Sequence, residues 1–322
     1  MLGKARAVWR RPVAPRRYLV IAATALFSMY VVVTSGAFVR LTASGLGCDN
    51  WPHCGDKPYP EAGFHAFVEF GNRIVALIGI LLTLVAWLAS RRTTGLSRLG
   101  RLGALGALLG AVGQIPLGGI TVILELHPVA VMSHFFLSFL VVACATIATI
   151  EGWSLVVGRG DPVGPRWWRR LVAADVAACA AMIASGAVVT AAGPHSGGED
   201  IRRLGVEITD AMYVHVRASA VFGIGFLIVG AWLVRNRRAA PGVLRLGALL
   251  LAVLVGQMIL GEIQYRNAIP WGMVLVHVLL SATIWTLMVS LAHVAYRPPV
   301  TLLEGTAERA RAATAGAASS NL

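Results

Sequence analysis

Charge is what this sequence has least of. Only 13% of its 322 residues are Asp, Glu, Lys or Arg, and the acids number 15. So little charge excludes a soluble domain of this length. With 57% hydrophobic residues and a mean hydropathy of +0.72, the composition is that of a polytopic membrane protein. No cleavable signal peptide is expected, because the first apolar run is too long and follows a basic arm. The net charge of +13 does not denote nucleic-acid binding, since the basic residues sit in short loops between apolar runs. Of the four cysteines, Cys144 and Cys179 lie in apolar runs and read as small core residues.

What is present is a set of apolar runs, each long enough to span a bilayer. They fall at about 18–40, 66–89, 102–124, 129–153, 170–192, 209–234, 243–265 and 270–294. The expected fold is an all-α integral membrane protein of eight transmembrane helices, arranged as two pseudo-repeated four-helix bundles. The expected organisation is a basic arm (1–17), a first repeat (18–153), a linker (154–169), a second repeat (170–294) and a disordered tail (295–322). Twenty-one of the 28 Lys and Arg residues fall on one set of connections, which places both termini in the cytoplasm. Trp167 and Trp168 suit an inner interfacial belt and Trp271 an outer one.

The repeat is legible in two stretches. Gly113-Gln114 through His134 and Ser138 recurs as Gly256-Gln257 through His277 and Ser281, at a constant offset of 143 residues. Gln and His are rare in apolar helices, and both recur in register, which argues for internal duplication over chance likeness between apolar segments. Applied to His215, the same offset falls on Asn72. The second half therefore carries two inward histidines, His215 and His277, and the first carries Asn72 and His134. Paired histidines at similar depth in a helix bundle fit axial ligation of a haem. Zinc is disfavoured for want of further ligands at that depth. A transporter built from repeats is disfavoured because neither half has a broken helix.

The halves differ chemically. Glu69 and His65 share a helix face with Asn72, whereas Met212 is the repeat partner of Glu69. Glu69 reads either as a functional carboxylate or as an ion pair with Arg73. Arg73 and Arg217 read as partners of haem propionates or as snorkelling side chains. The first outward loop carries Cys48 and Cys54, which an oxidising compartment favours as a disulfide over two free thiols. The Gly193-Pro194-His195 loop reads as a turn.

At these residues the chain resembles the heme A synthase family. The resemblance covers all eight spans. It rests on the first-loop cysteine pair with Trp51-Pro52 between them, Glu69-Phe70-Gly71-Asn72-Arg73, Gly118-Gly119-Ile120-Thr121, the Gly-Pro-His loop and the three histidines. It implies oxidation of a ring methyl group of haem O to a formyl group, giving haem A for terminal oxidase assembly. It implies haem b held by His215 and His277, and substrate haem O in the first half with His134 as iron ligand. Asn72 and His65 are then substrate-binding candidates, Glu69 the catalytic candidate, and Cys48 with Cys54 a disulfide. It further implies a bacterial plasma membrane, an unidentified electron donor, a haem O synthase supplying substrate, and no nucleic acid; it admits a homo-oligomer. Two departures stand out. Many members have histidine where this chain has Asn72, so His65 or an open position completes the substrate iron. Some have a second cysteine pair in the third outward loop, absent here, so other contacts must hold that loop. A di-haem electron carrier that leaves haem unmodified is the alternative reading.

Overall fold

The computed structural model describes residues 12–48, 51–54, 57, 59–195, 197 and 201–304. Most of the basic arm (1–11) and of the tail (305–322) lies outside the described residues. All eight apolar runs are helices: α1 Pro15–Leu41, α2 Phe64–Arg92, α3 Arg98–Ile123, α4 Pro128–Val157, α5 Arg166–Ala192, α6 Ile208–Arg235, α7 Pro241–Arg266 and α8 Trp271–Tyr296. The shortest have 26 residues, a rise of about 39 Å against a hydrocarbon core of about 30 Å. All eight are long and apolar enough to cross a membrane. In hydrocarbon the backbone must satisfy its own polar groups, and helices do so within each segment.

Local chemistry sets where the helices begin. Pro15, Pro128 and Pro241 stand in the first turn of α1, α4 and α7, where a missing N–H costs nothing. Ser97 caps α3 by accepting a bond from Gly100 N at 3.0 Å. The ends of α3 and α7 correspond at an offset of 143 residues, and so do the starts of α4 and α8.

Within the first half, α1 packs on α2 and α4, and α3 packs on the same two helices. Within the second, α5 and α7 each pack on α6 and α8. The halves meet where α1 touches α8, α4 touches α5, and α4 touches α8. The apolar core runs unbroken across this seam through Phe139, Val142, Trp168, Phe222, Ile284 and Met288. Trp285 Nε1 donates to Phe139 O across it at 2.8 Å. Phe27, Leu109 and Val221 are among many large apolar side chains exposed on the helix surfaces, as contact with lipid requires.

One end of the molecule gathers the start of α1, the end of α2, the α4–α5 linker and the end of α8. Val13 N bonds Arg92 O, Val163 N bonds Ala295 O, and Gly160 N bonds Pro298 O. Here the carboxylate of Glu151, fully buried on α4, accepts bonds from four groups. They are Ser97 Oγ at 2.6 Å, Arg297 Nε at 2.7 Å, His293 Nε2 at 2.9 Å and the Arg159 guanidinium. These groups come from the α2–α3 loop, the chain just past α8, α8 itself and the linker.

Two expectations are corrected at this end. Trp168 is not an interfacial belt residue: it is fully buried, stacks on Trp232 at 4.6 Å and donates Nε1 to Val229 O at 3.2 Å. Its neighbour Trp167 is exposed. The expected disordered tail begins too early. Residues 295 and 296 finish α8, and Val300–Leu302 form a 3-10 turn held by Val300 N on Gly158 O at 3.0 Å.

Candidate functional site

The three inward histidines sit at the opposite end of the bundle, each against a glycine of a neighbouring helix. A Cβ on Gly118 would lie 3.3 Å from His134 Cε1, one on Gly261 3.4 Å from His277 Cε1, and one on Gly186 3.0 Å from His215 Cε1. Each imidazole therefore brings its Cε1 close to a bare stretch of backbone. His134 and His277 are both the seventh residue of their helices.

The two α3/α4 and α7/α8 pairs are fastened alike. Gln114 Nε2 donates to His134 O at 3.1 Å and to Ser138 Oγ at 2.7 Å. Gln257 Nε2 donates to His277 O at 3.0 Å and to Ser281 Oγ at 2.9 Å. Ser138 and Ser281 each return a bond to the histidine carbonyl one turn before. The repeated Gln, His and Ser thus form one hydrogen-bonded frame, made twice, that sets the height and rotation of the histidine-bearing helix.

Opposite these frames the halves part. In the second half, His215 Nδ1 lies 3.1 Å from Met182 O and 3.0 Å from Ser185 Oγ. A carbonyl can only accept, so Nδ1 carries the proton and Nε2 keeps its lone pair. That is the arrangement in which imidazole ligates a metal, with the far nitrogen fixed by an acceptor. His215 and His277 lie near enough to interact electrostatically. In the first half the corresponding residue is Asn72, whose Oδ1 accepts from Ser35 Oγ at 2.7 Å. Asn72 is turned onto α1 and brings no imidazole towards His134. Below His134 an apolar cavity between α1, α2, α3 and α4 is lined by Met29, Val33, Ala76, Ile80, Gln114 and Ser138.

Ser35 and Ser185 escaped the sequence reading. They occupy equivalent places, in Ser-Gly-Ala at 35–37 and 185–187, but the offset is 150 rather than 143. A comparison that allowed a gap before α2 and α6 would have found them.

Glu69 is buried, and both its oxygens are engaged. Oε1 accepts from Arg73 Nη2 at 2.6 Å and Oε2 from Cys48 N at 2.8 Å. Of the two readings of this carboxylate, the geometry realises the ion pair with Arg73. Arg73 goes on to donate Nη1 to Pro52 O and His53 O, both at 2.9 Å. The cysteines flanking this loop, Cys48 and Cys54, are joined as a disulfide. His65 is exposed, with Nδ1 2.9 Å from Ser44 Oγ. It lies seven residues before Asn72, about 10 Å of helix rise, and so is not a counterpart of His215. Arg217 stacks over Tyr213 and bonds Tyr213 O.

The loop between α5 and α6 is held without cysteines. His195 Nε2 donates to Ile269 O at 2.7 Å, and Arg40 Nε donates to His195 O at 2.9 Å. Arg40 Nη2 also reaches Thr190 O at 3.1 Å, tying α1 to the end of α5.

Eight helices long and apolar enough to cross a membrane, with three interior imidazoles each set against a glycine of a neighbouring helix, define a polytopic membrane protein with histidines inside its bundle. The chain belongs to the COX15-CtaA family of cytochrome oxidase assembly proteins, whose model matches residues 17–65 and 60–289. It is 32% identical over 112 residues to a heme A synthase of Geobacillus thermodenitrificans, covering 34% of this chain and 35% of that one. A heme A synthase of Symbiobacterium thermophilum is 32% identical over 84 residues, 26% of this chain and 27% of the relative. The alignments thus span about a third or less of the length of these curated relatives.

Proposed function

We propose that this protein is a heme A synthase, an oxidoreductase that takes haem O and oxidises a ring methyl group to a formyl group. Family membership supports the class, and one observation carries the division of labour. The same Gln-His-Ser frame occurs twice, but only the second half sets a second histidine opposite it.

On this reading the chain is two four-helix repeats, supported by the equivalent packing within each half. Both termini face the cytoplasm of a bacterial plasma membrane, as the basic connections argue. The second half holds haem b through His215 and His277, and bound there it supplies electron transfer. His215 and His277 fit it: the bond of His215 Nδ1 to Met182 O leaves its Nε2 available, and Gly186 and Gly261 leave room beside the rings where a side chain would crowd Cε1.

The first half receives haem O. His134 offers the iron ligand, and Gln114 fixes its height on α4. Asn72 lines the opposite side from its bond to Ser35. Glu69 enters as the carboxylate that holds the first outward loop to α2. To relay a proton it would have to give up its bond to Arg73 or to Cys48. His65 secures Ser44 at the base of the same loop. A haem O synthase in the same membrane supplies the substrate.

The test is pigment extraction from cells that make haem O. The wild-type chain is expected to yield formyl haem. His134→Ala is expected to yield none, and Glu69→Gln to cut the yield strongly, with haem b in the second half retained in both. An unmodified pigment pool with wild-type chain would instead mark a di-haem electron carrier. Breaking the disulfide with Cys48→Ser is expected to lower formyl haem more than it lowers second-half haem, since the bridge braces a first-half loop.

A further inference from the structure

The first outward loop does more than cap α2. Its described part is tied down on both sides of Trp51: Cys48 N by Glu69, the carbonyls of Pro52 and His53 by Arg73. The indole so held lies on Gly119 of α3. A Cβ there would stand 3.0 Å from Trp51 Cδ2 and Cε2 and 3.1 Å from Cζ2. A methyl group there would push the ring back by a few tenths of an ångström. The preceding residue, Gly118, seats His134. Two adjacent glycines on one helix therefore take an imidazole and an indole on neighbouring faces, about 100° apart around α3.

The second half has only one of these seats. Gly261 faces His277 as Gly118 faces His134, but the next residue is Glu262, exposed and paired with Arg266 at 2.5 Å. Where the first half receives an aromatic ring, the second puts a solvated ion pair. This asymmetry coincides with the one between Asn72 and His215.

We infer that Trp51 is a positioning residue of the first-half site: its indole, seated on Gly119, forms an outer aromatic wall that orients a planar tetrapyrrole ligated by His134. The inference rests on the assignment of haem O to the first half. The indole is 39% exposed, so part of its surface remains for a second ring to cover. Aromatic rings prefer offset or edge-on contact, which fixes rotation as well as position. Rotation matters here because only one methyl group of the ring is to be oxidised. Glu69 and Arg73 then act on the site through Trp51.

The experiment uses full-length protein already loaded in its second half and titrates it with haem O in detergent. Formyl products are assayed in parallel, and the second-half spectrum reports folding. Trp51→Ala is expected to weaken haem O binding roughly tenfold. Trp51→Phe should restore most of it. Gly119→Ala leaves Trp51 in the chain but pushes it back from the seat, and should reproduce part of the Trp51→Ala defect. A larger share of incompletely or wrongly oxidised pigment should accompany both defects. The inference is overturned if Trp51→Ala and Gly119→Ala bind and convert haem O as wild type does while His134→Ala fails to bind it. If His134→Ala itself binds as wild type does, the assignment of haem O to the first half falls, and the role of Trp51 with it.

Discussion

On the proposed ligation of haem b by His215 and His277, replacing either with alanine is expected to abolish a low-spin bis-histidine absorption spectrum of the purified protein. The loss should be complete in either single variant, because a bis-histidine iron needs two axial ligands and His215 and His277, both in the second half, would each supply one. Ser185→Ala should be much milder. It removes one neighbour of His215 Nδ1 but leaves Met182 O, which still fixes the proton on that nitrogen. Gln257→Leu should fall between, since it unfastens His277 O from α7 while sparing the ring. A full-intensity spectrum from His215→Ala would rule out ligation by that residue.

The largest loss of stability is expected from Glu151→Ala. That carboxylate is fully buried and accepts from Ser97, His293, Arg159 and Arg297. Removing it leaves two guanidinium groups and an imidazole converging on nothing. Stripping one partner from a fully buried ion pair costs about 3–5 kcal/mol, and the cost here is lower because the Arg159 and Arg297 left behind are 38% and 35% exposed. Thermal unfolding in detergent should register it as a large drop in midpoint. Replacing Arg159 alone should matter less, because its side chain is 38% exposed and water can take its place. A Glu151→Ala protein that melts with wild type would reduce the cluster to a bystander.

The spans were legible because twenty apolar residues in a row have few other uses, and no end moved by more than four residues. The Gln-His-Ser frame was legible because polar residues in apolar helices are rare enough to be tracked by register. What the sequence concealed was direction. Trp167 and Trp168 are alike on paper, but neighbours on a helix point about 100° apart, so one faces outward while the other is buried on Trp232. Glu69 was visible as an acid near an arginine. That it also holds the backbone of Cys48 depends on a loop fold that no periodicity encodes. Residues 297–304 looked like tail because Pro and Gly punctuate both strands of the contact. Their order comes from Gly158 and Gly160, some 140 residues earlier in the chain.

The Glu151 cluster has a consequence in time. Its acid is on the fourth helix, and two of its partners, His293 and Arg297, are on or beyond the eighth. A ribosome delivers Glu151 to the membrane well before it reaches residue 297. Throughout that interval the first four helices hold a carboxylate that lacks two of its four hydrogen-bond partners. Only when the last helix arrives can α4 close against α8. The nascent first half is therefore an unfinished object, dependent on the end of its own message, and a chain cut short before Arg297 should be one that quality-control proteases recognise.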